Sequence, residues 1–382
     1  MSYYDSVTTT SIWRCSQPLT GVFGQNRNKG DEELLRLIGL CNSHKNNVQN
    51  TVLIHDSRPK TNAYANRAKG GGFEDSGAGK NYPNCKIMFA DIDNIHKVTD
   101  VYKNLCTFSF DMEKKLKEFE EHEKLRDPQQ LILMLDKTDY RYMLQMILIG
   151  VNDVLAAMTS QHFENVVVHC SDGWDRTSQI SSTSQLLLDP FYRTFEGFQV
   201  LIEKDWLSFG HMFGRRCGHF SATDTGNRSQ VFIQWLDTVH QLWHQMPSLF
   251  EFSTELLLFL AENLFNCKYG TFLLNNCRER QETKIHERTL SIWVEVNLRR
   301  KEFGNAYYLP VEKQPQKGRI TQVPQFAYKD MRIWHEYFYK YTSVPRKLVK
   351  GNANYIIHKK THEQRERVDK LQALLQRTTK LA

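Results

Sequence analysis

The chain has 382 residues, of which 40% are hydrophobic, enough to bury a substantial core in one large domain or two. The 50 Lys and Arg outnumber the 43 Asp and Glu, and the net charge of +7 suits an anionic membrane face, a phosphorylated substrate or nucleic acid. The eight cysteines include no C-x-x-C pair and show no regular spacing. This pattern excludes a disulfide scaffold and favours a reduced, cytoplasmic setting.

Short apolar runs alternate with helical patterns in the first part of the chain, which is typical of an α/β fold. The spacing predicts a helix, two strands and a second helix over residues 31–40, 52–55, 86–90 and 140–161. The Gly-rich segment 70–80 is predicted to be a loop. The apolar stretch 142–158 contains Asn152 and Asp153, and we expect it to fall short of a membrane span.

Residues 165–178, NVVVHCSDGWDRTS, carry the strongest functional pattern. A β-branched strand is predicted to end at Cys170, and a helix over 177–188 follows. Between them, Gly173 allows the backbone to turn so that successive N–H groups and the helix N-terminus surround a phosphate. Such a nest lowers the pKa of a thiol, and Arg176 can bind two phosphate oxygens at once. We therefore predict phosphoryl transfer through a thiolate rather than a buried core cysteine.

Two aspartates in the same loop are candidates for proton transfer. Covalent catalysis needs a proton donor for the leaving alcohol and then a base for the hydrolytic water. Asp175 directly precedes Arg176 and Asp172 lies two residues after Cys170, so both are expected to be within reach of a bound ester. The alternative is that these aspartates only hold the loop through hydrogen bonds. Because Arg176 and the backbone nest supply charge stabilisation, we predict no metal and no cofactor.

The second half of the chain is predicted to be mostly helical, with aromatic-rich stripes that pack into the core. The predicted helices cover residues 228–246, 253–265 and 289–298. His240 and His244 lie four residues apart on the first of them. Gln241 stands where a metalloprotease would place its glutamate, so we interpret the two histidines as polar-face residues and not as metal ligands.

The composition changes after residue 345. A basic stretch is followed by a charged segment, 362–381, with apolar residues at helical spacing. One interpretation is attraction to a membrane surface together with a short coiled coil that forms a homo- or hetero-oligomer. The other is a solvated helix. We therefore predict a catalytic domain over 1–345 and a basic segment with an amphipathic helix over 346–382.

The sequence CSDGWDRT, from Cys170 to Thr177, closely resembles the phosphate loop of the myotubularin-related phosphatases. Segments that match the same family, in the family's order, extend from about residue 13 to 340; they are RCSQPLTG, HDSRP, NAYANRAKGGGFE, DIDNIH, DWLSFGH and RRCGH. The resemblance implies a phosphoinositide 3-phosphatase that acts on phosphatidylinositol 3-phosphate and phosphatidylinositol 3,5-bisphosphate through a phosphocysteine. It also implies a cytoplasmic protein that associates peripherally with endosomal-type membranes.

The resemblance further implies a cysteine-phosphatase fold. In such a fold a twisted, mostly parallel sheet is flanked by helices, and the phosphate-binding loop lies between a strand and a helix. The position of Asp175 would then supply the acid, and Cys170 and Arg176 would be the nucleophile and the phosphate ligand. The implied substrate-binding residues are Asn66, Asn94, Ile95, Ser171, Asp172, Gly173, Trp174, Asp175, Arg176 and Arg216.

One position departs from the family pattern. Met212 stands where the family usually has Lys or Arg. The loss of that cation is expected to weaken the binding of a second ring phosphate, and to make the monophosphate the better substrate.

Three other functions fit parts of the sequence. A protein-tyrosine phosphatase would share the nucleophile and the arginine, but it would leave Asn66, Asn94 and Arg216 without a role. A lipid-binding adaptor of the same family usually lacks Cys170 or Arg176, and both are present. The positive charge alone suggests RNA, and since no motif interleaves aromatic and basic residues we predict no nucleic-acid partner.

Overall fold

The computed structural model describes residues 1–22, 26–41, 51–121, 133–159, 165–219 and 225–340. It divides into two units, the first formed by Met1–Tyr102 with Tyr140–Trp334 and the second by Lys103–Asp139 with His335–Ala382. All of the predicted site residues lie in the first unit. The predicted tail, 346–382, lies outside the described residues, so its helix, its coiled coil and the domain boundary stay predictions.

A five-stranded sheet lies in the first unit. Its strands are β1 (Tyr3–Asp5), β2 (Thr10–Cys15), β3 (Val52–Asp56), β4 (Cys85–Phe89) and β5 (Asn165–His169), in the spatial order β1-β2-β5-β3-β4. β1 and β2 pair antiparallel, and the other three pairings are parallel. All of β5 is buried, as expected of a Val-rich central strand. The carboxyl ends of the parallel strands meet at one edge, where sheets of this kind bind ligands.

Helices make up most of the remaining structure, and the predicted mixed α/β class is confirmed. Except for the predicted helix over 362–381, which lies outside the described residues, the predicted helices are found within three residues at each described end. The elements that were not predicted include β1, β2 and the helices Lys60–Arg67 and Ile95–Glu121. The helices are α1 Lys29–Leu40, α2 Lys60–Arg67, α3 Ile95–Glu121, α4 Tyr140–Thr159, α5 Arg176–Leu188, α6 Phe195–Ile202, α7 Phe213–Cys217, α8 Val231–Gln245, α9 Thr254–Asn263, α10 Cys277–Glu282, α11 Ile285–Arg288, α12 Ile292–Leu298, α13 Arg300–Phe303 and α14 His335–Phe338.

In the described part of the chain one helix, α4, is long and apolar enough to cross a membrane by length and composition. The expectation that this stretch falls short of a span is therefore wrong on those two measures. Its packing explains its apolar character, because Leu148 and Val151 are fully buried. A Cβ at Gly150 would lie 3.0 Å from Ile180 of α5 and 3.3 Å from His55 of β3, so this glycine allows a close approach of the three elements. We interpret α4 as a core helix.

α5 is buried along its whole length although most of its residues are polar. The hydroxyls of Ser182, Thr183 and Ser184 donate to carbonyls four residues earlier, at 2.6, 2.7 and 2.9 Å. Gln185 donates to the carboxylate of Asp205 at 3.0 Å. Because these polar groups are satisfied inside the protein, the helix that follows the phosphate loop needs no contact with water.

Aromatic residues of the second half form a continuous core, as predicted. Trp206 and Trp235 are fully buried with ring centroids 5.1 Å apart, and Phe232 packs 4.9 Å from the first and 5.4 Å from the second. Arrangements of this kind add to the free energy of burial. The aromatic stripe of α8 is therefore core and not a ligand site.

The two histidines of α8 do not lie on a solvated face. The Nε2 atoms of His240 and His244 are 3.0 Å apart, and His240 is buried with its ring stacked on Trp334. The polar-face interpretation is wrong for His240 because α8 is covered on nearly every side. Across the described residues, no group of three or more His, Cys, Asp or Glu side chains is arranged to hold a metal ion.

Candidate active site

Cys170 lies at the carboxyl end of β5, and the loop that follows it leads into α5. Its side chain is at the floor of the loop and only 2% of the residue is exposed. The backbone N–H of Gly173 donates to Sγ at 3.3 Å, so the loop folds back over the sulfur. The predicted strand, loop and helix around Cys170 are therefore present.

The pKa of the Cys170 thiol lies below its usual value. Burial acts to raise this pKa, but the positive charge of Arg176 and the contacts with Thr177 at the start of α5 outweigh it. The Gly173 N–H acts in the same direction because a hydrogen bond to sulfur favours the thiolate. The surroundings of Cys170 therefore favour the thiolate, the form in which a cysteine can act as a nucleophile.

Arg176 is the first residue of α5 and is buried. Its Nη1 donates to the carbonyl of Ile92 at 3.1 Å, and its Nη2 donates to Oγ of Ser171 at 3.4 Å. These bonds hold the guanidinium beside the loop, where its charge stabilises the thiolate of Cys170. The guanidinium of Arg176 is thus positioned to bind the oxygens of a phosphate group.

Gly173 is required by the geometry of the loop. Its φ of +83° lies in the left-handed region, and a Cβ at this position would lie 2.5 Å from the carbonyl oxygen of Cys15. That atom belongs to the backbone at the end of β2 and cannot move aside cheaply. The close approach of the two backbones therefore allows no side chain here.

Replacing Gly173 with Ala tests this packing. We expect Gly173→Ala to lower the free energy of unfolding by about 1–3 kcal/mol and the turnover of a phosphate ester about 100-fold, since the loop must shift. Gly79→Ala is the matched control, because Gly79 has a similar φ of +77° and no heavy atom within 4 Å of its added Cβ. Thermal melts and phosphate release measure the two effects. Equal losses in both variants would show that contact with Cys15 does not shape the loop.

Arg14 fixes the loop from the β2 side. Its Nη2 donates to the carbonyl of Gly173 at 3.0 Å and to Oγ of Ser178 at 2.7 Å, while its Nη1 donates to Asp205 at 2.8 Å. The Arg14–Asp205 pair is buried. One guanidinium therefore connects β2, the loop, α5 and the segment after α6.

A second buried pair supports the loops on the β3 side. Arg58 donates to both carboxylate oxygens of Asp56, at 2.8 and 2.7 Å. It also donates to the carbonyl of Gly72 at 2.7 Å and to the side chain of Gln17. The backbone N–H of Gln17 in turn donates to the carbonyl of Ser171 at 3.2 Å. The loops after β2, β3 and α2 are thereby tied to the phosphate loop.

His169, directly before Cys170, forms a buried ion pair with Glu74 at 3.2 Å. Burial acts to lower the pKa of His169, but the carboxylates of Glu74 and Asp56 outweigh it and raise the pKa to about 9. The charged ring contacts the carbonyl of Cys170 through Nδ1 at 3.2 Å. The pair of His169 and Glu74 therefore helps to orient the peptide group of Cys170.

Asp175 is buried and held by two partners. The guanidinium of Arg216 donates to both of its carboxylate oxygens, at 3.1 and 2.7 Å, and Nδ1 of His211 lies 3.1 Å from the first of them. Burial acts to raise the pKa of Asp175, but hydrogen bonding to His211 and the charge of Arg216 outweigh it and keep this pKa far below its usual range. Asp175 is thus a carboxylate at neutral pH.

Asp172 lies on the exposed side of the same loop. Partial desolvation and the negative charge of Asp175 raise its pKa, although Arg216 and Arg176 act in the opposite direction. The pKa values of the two aspartates are thus shifted in opposite directions. The neutral form is favoured in Asp172 and the ionised form in Asp175. Such a split is what acid–base roles require.

Of the predicted headgroup residues outside the loop, Asn66 contacts the loop directly, and Asn94 and Ile95 lie in a segment that contacts Arg176 through Ile92. Nδ2 of Asn66 donates to Oγ of Ser171 at 2.8 Å, so Asn66 reaches the loop directly. Asn94 caps α3, because its side-chain oxygen accepts the backbone N–H groups of His96 and Lys97. Asn94 and Ile95 belong to the segment that follows Ile92, the residue bonded to Arg176.

Arg216, one of the predicted substrate-binding residues, is bonded to other groups of the protein in this structure. Besides its two bonds to Asp175, Arg216 donates to the carbonyl of Asn227 at 3.0 Å and is buried. Arg215 is exposed, and Met212 is half-buried directly before α7. The guanidinium of Arg216 therefore shapes the site through Asp175.

The family model of the myotubularin-like phosphatase domain matches residues 1–281. The chain belongs to the myotubularin-related family. Myotubularin of Xenopus laevis is 34% identical over 342 residues, which cover 89% of this chain and 52% of the relative. The protein of Mus musculus named phosphatidylinositol-3,5-bisphosphate 3-phosphatase MTMR4 is 44% identical over 261 residues, which cover 68% of this chain and 20% of the relative. The protein of Caenorhabditis elegans named phosphatidylinositol-3,5-bisphosphate 3-phosphatase MTMR6 is 37% identical over 313 residues, which cover 81% of this chain and 43% of the relative.

The chain thus spans 52%, 20% and 43% of the lengths of these three relatives.

Several residues that hold the site in place had no role predicted from the sequence. All but one of them fall inside the motifs on which the resemblance was based, and His169 directly precedes one; the residues are Arg14, Gln17, Asp56, Arg58, Glu74, His169, Asp205 and His211.

Proposed function

We propose that the protein is a phosphoinositide 3-phosphatase that removes the 3-phosphate of phosphatidylinositol 3-phosphate, and of phosphatidylinositol 3,5-bisphosphate, through a phosphocysteine. The observation that carries the proposal is the position of the Cys170 sulfur, which accepts the backbone N–H of Gly173 and has its pKa lowered by the charge of Arg176. The names of the relatives support the lipid class. The strand, loop and helix around Cys170 support a cysteine-phosphatase fold.

In the first step the sulfur of Cys170 attacks phosphorus, an S–P bond forms, and the P–O bond to the inositol ring breaks. The guanidinium of Arg176 and the backbone N–H groups of the loop stabilise the charge on the phosphoryl oxygens. The departing inositol oxygen takes a proton from a neutral acid. No metal is needed for this step, because the cation and the loop already face the phosphoryl group.

We assign the proton donor to Asp172 rather than to Asp175, the residue that the family resemblance implied. A donor has to hold a proton until the leaving oxygen takes it, and Arg216 and His211 favour the ionised form of Asp175, whereas partial burial and the charge of Asp175 favour the acid form of Asp172. The raised pKa of Asp172 and its exposed position suit proton transfer. Asp175 then acts as a positioning residue.

In the second step water attacks the phosphocysteine. Asp172, now ionised, accepts a proton from the water as the new P–O bond forms and the S–P bond breaks. Inorganic phosphate leaves, and the thiolate of Cys170 and the neutral form of Asp172 are restored. Attack by the small water molecule follows departure of the inositol, since both use the same side of the phosphoryl group.

Met212 is proposed to limit the activity on the bisphosphate. We expect Met212→Arg to raise the ratio of bisphosphate to monophosphate turnover about tenfold, because a guanidinium at this position can bind the second ring phosphate. Met212→Leu is the control, since it changes the shape and adds no charge. Initial rates on both lipids, measured in the same vesicles, give the ratio. An unchanged ratio in Met212→Arg would remove this position from substrate selection.

Localisation and assembly are further proposals. The net charge and the basic stretch after residue 345 support peripheral association with endosomal-type membranes on the cytoplasmic side. The segment 362–381 is proposed to form an amphipathic helix that joins homo- or hetero-oligomers, and the phosphatase domain is proposed to cover 1–345.

The proposed function is tested by phosphate release from each of the phosphoinositides and from a phosphotyrosine peptide. We expect release only from lipids that carry a 3-phosphate, with Asn66→Ala lowering this release about tenfold. Release from the peptide alone would favour a protein-tyrosine phosphatase. Binding of the lipids with no release from any substrate would favour an adaptor.

A further inference from the structure

Three large apolar side chains are exposed on the segments that frame the phosphate loop. Leu19, Val22 and Tyr64 are 73%, 58% and 51% exposed, and we call these three residues the apolar rim. Leu19 and Val22 follow β2, and Tyr64 lies on α2. Single exposed apolar residues are common on protein surfaces. Exposure alone therefore does not make the apolar rim a functional surface, and its position and neighbouring residues have to be considered.

Hydrogen bonds connect both segments of the rim to the residue that follows the nucleophile. On one side the backbone N–H of Gln17 donates to the carbonyl of Ser171 at 3.2 Å, and on the other Asn66 donates to its hydroxyl at 2.8 Å. The segments also bond to each other, since Gly21 donates to Gly71 at 3.2 Å and Gly71 donates to Asn66 at 3.0 Å. The rim is thus fixed to the mouth of the site.

Cations accompany the apolar rim. Residues 59–73 contain Lys60, Arg67 and Lys69 and no Asp or Glu. Lys60 and Lys69 are exposed, and the guanidinium of Arg67 stacks on Phe73 at 5.0 Å. Exposed aliphatic and Tyr side chains flanked by Lys and Arg are the composition of surfaces that bind the interface of an anionic bilayer.

We propose that the apolar rim inserts into the bilayer that carries the substrate, with Lys60 and Lys69 against anionic headgroups. The inference rests on the proposed function, because a lipid phosphate can reach the buried Cys170 only if the mouth of the site meets the membrane. A free soluble phosphate ester would need no exposed apolar residues at that mouth. The occupant of this surface is therefore the lipid surface itself, held by residues outside the catalytic machinery.

The test uses the full chain with Leu19→Asn and Val22→Asn combined. The control combines Val294→Asn and Leu298→Asn, which are 49% and 78% exposed on α12. Binding is measured by sedimentation with vesicles of phosphatidylcholine and phosphatidylserine. Turnover is measured on long-chain phosphatidylinositol 3-phosphate in those vesicles and on a short-chain form below its micellar concentration.

We expect the rim variant to lose about tenfold in vesicle binding and in turnover on vesicles, and to keep its turnover on the short-chain lipid. The control should match the wild type in all three measurements. Vesicle binding and turnover that stay at the wild-type level in the rim variant would overturn the inference. So would an equal loss on both substrates, which would mean that the rim shapes the site. If the wild type hydrolyses neither lipid, the proposed function fails, and the binding measurement alone decides on the rim.

Discussion

Cys170→Ser is expected to lower kcat on phosphatidylinositol 3-phosphate by about 10⁴-fold or more, with the affinity for the lipid changed less than about twofold. The serine hydroxyl occupies nearly the same space but stays protonated, so it cannot use the charge of Arg176 that favours the thiolate. Phosphate release measures kcat, and co-sedimentation with vesicles measures binding.

Cys277→Ser is the control for the loss of a cysteine, because Cys277 is exposed and lies on α10. It should retain wild-type turnover. Release of phosphate at a comparable rate by Cys170→Ser would remove the sulfur from the mechanism. Loss of lipid binding together with turnover would instead assign Cys170 to the structure of the loop.

Asp172→Asn is expected to lower kcat on the lipid about 10²–10³-fold without lowering the melting temperature, since the proton donor is lost while an exposed side chain keeps its shape. Asp175→Asn breaks the buried contacts with Arg216 and His211 and should lower the free energy of unfolding by about 3 kcal/mol. Thermal melts with steady-state kinetics of both variants distinguish the donor from the positioning residue.

An aryl phosphate sharpens this comparison because its leaving group departs without a proton. In Asp172→Asn the first step on such a substrate should stay fast, and phosphocysteine should accumulate as a burst because the base of the second step is missing. A loss on the aryl phosphate as large as the loss on the lipid, with no burst, would contradict the assignment of Asp172.

The pH dependence follows from the same two groups. Because the pKa of Cys170 is lowered, its thiolate forms at a lower pH than that of an ordinary cysteine. Activity should rise as the pH increases through this pKa. Because the pKa of Asp172 is raised, its acid form persists to higher pH than that of an ordinary aspartate. Activity should therefore fall as pH passes through the pKa of Asp172, and this falling limb should disappear in Asp172→Asn.

The phosphate loop was predictable from the sequence because its chemistry is local. Cys170, Gly173 and Arg176 lie within one short segment, and each has a role that its residue type and spacing indicate. The state of Asp175 was not predictable in this way. It depends on His211 and Arg216, far along the chain, which are brought to the loop by tertiary packing.

Two other features escaped prediction for related reasons. The polar sequence of α5 is typical of an exposed helix, yet Asp205 and the carbonyls of the helix satisfy its side chains inside the core. β1 and β2 carry little apolar alternation of their own, and parallel pairing with β5 places β2 inside the sheet. In both cases a decisive partner, Asp205 for α5 and β5 for β2, lies outside the local segment, so the local sequence pattern does not indicate it.

The central claim, that the sulfur of Cys170 carries the phosphoryl group, is tested most directly by trapping the intermediate. Enzyme mixed with phosphatidylinositol 3-phosphate is quenched in acid within a single turnover, digested and analysed by mass spectrometry. We expect the peptide that contains Cys170 to gain the mass of one phosphoryl group on sulfur, and this gain to be absent in Cys170→Ser. A phosphoryl group on any other residue, or full turnover with no labelled peptide, would contradict the account.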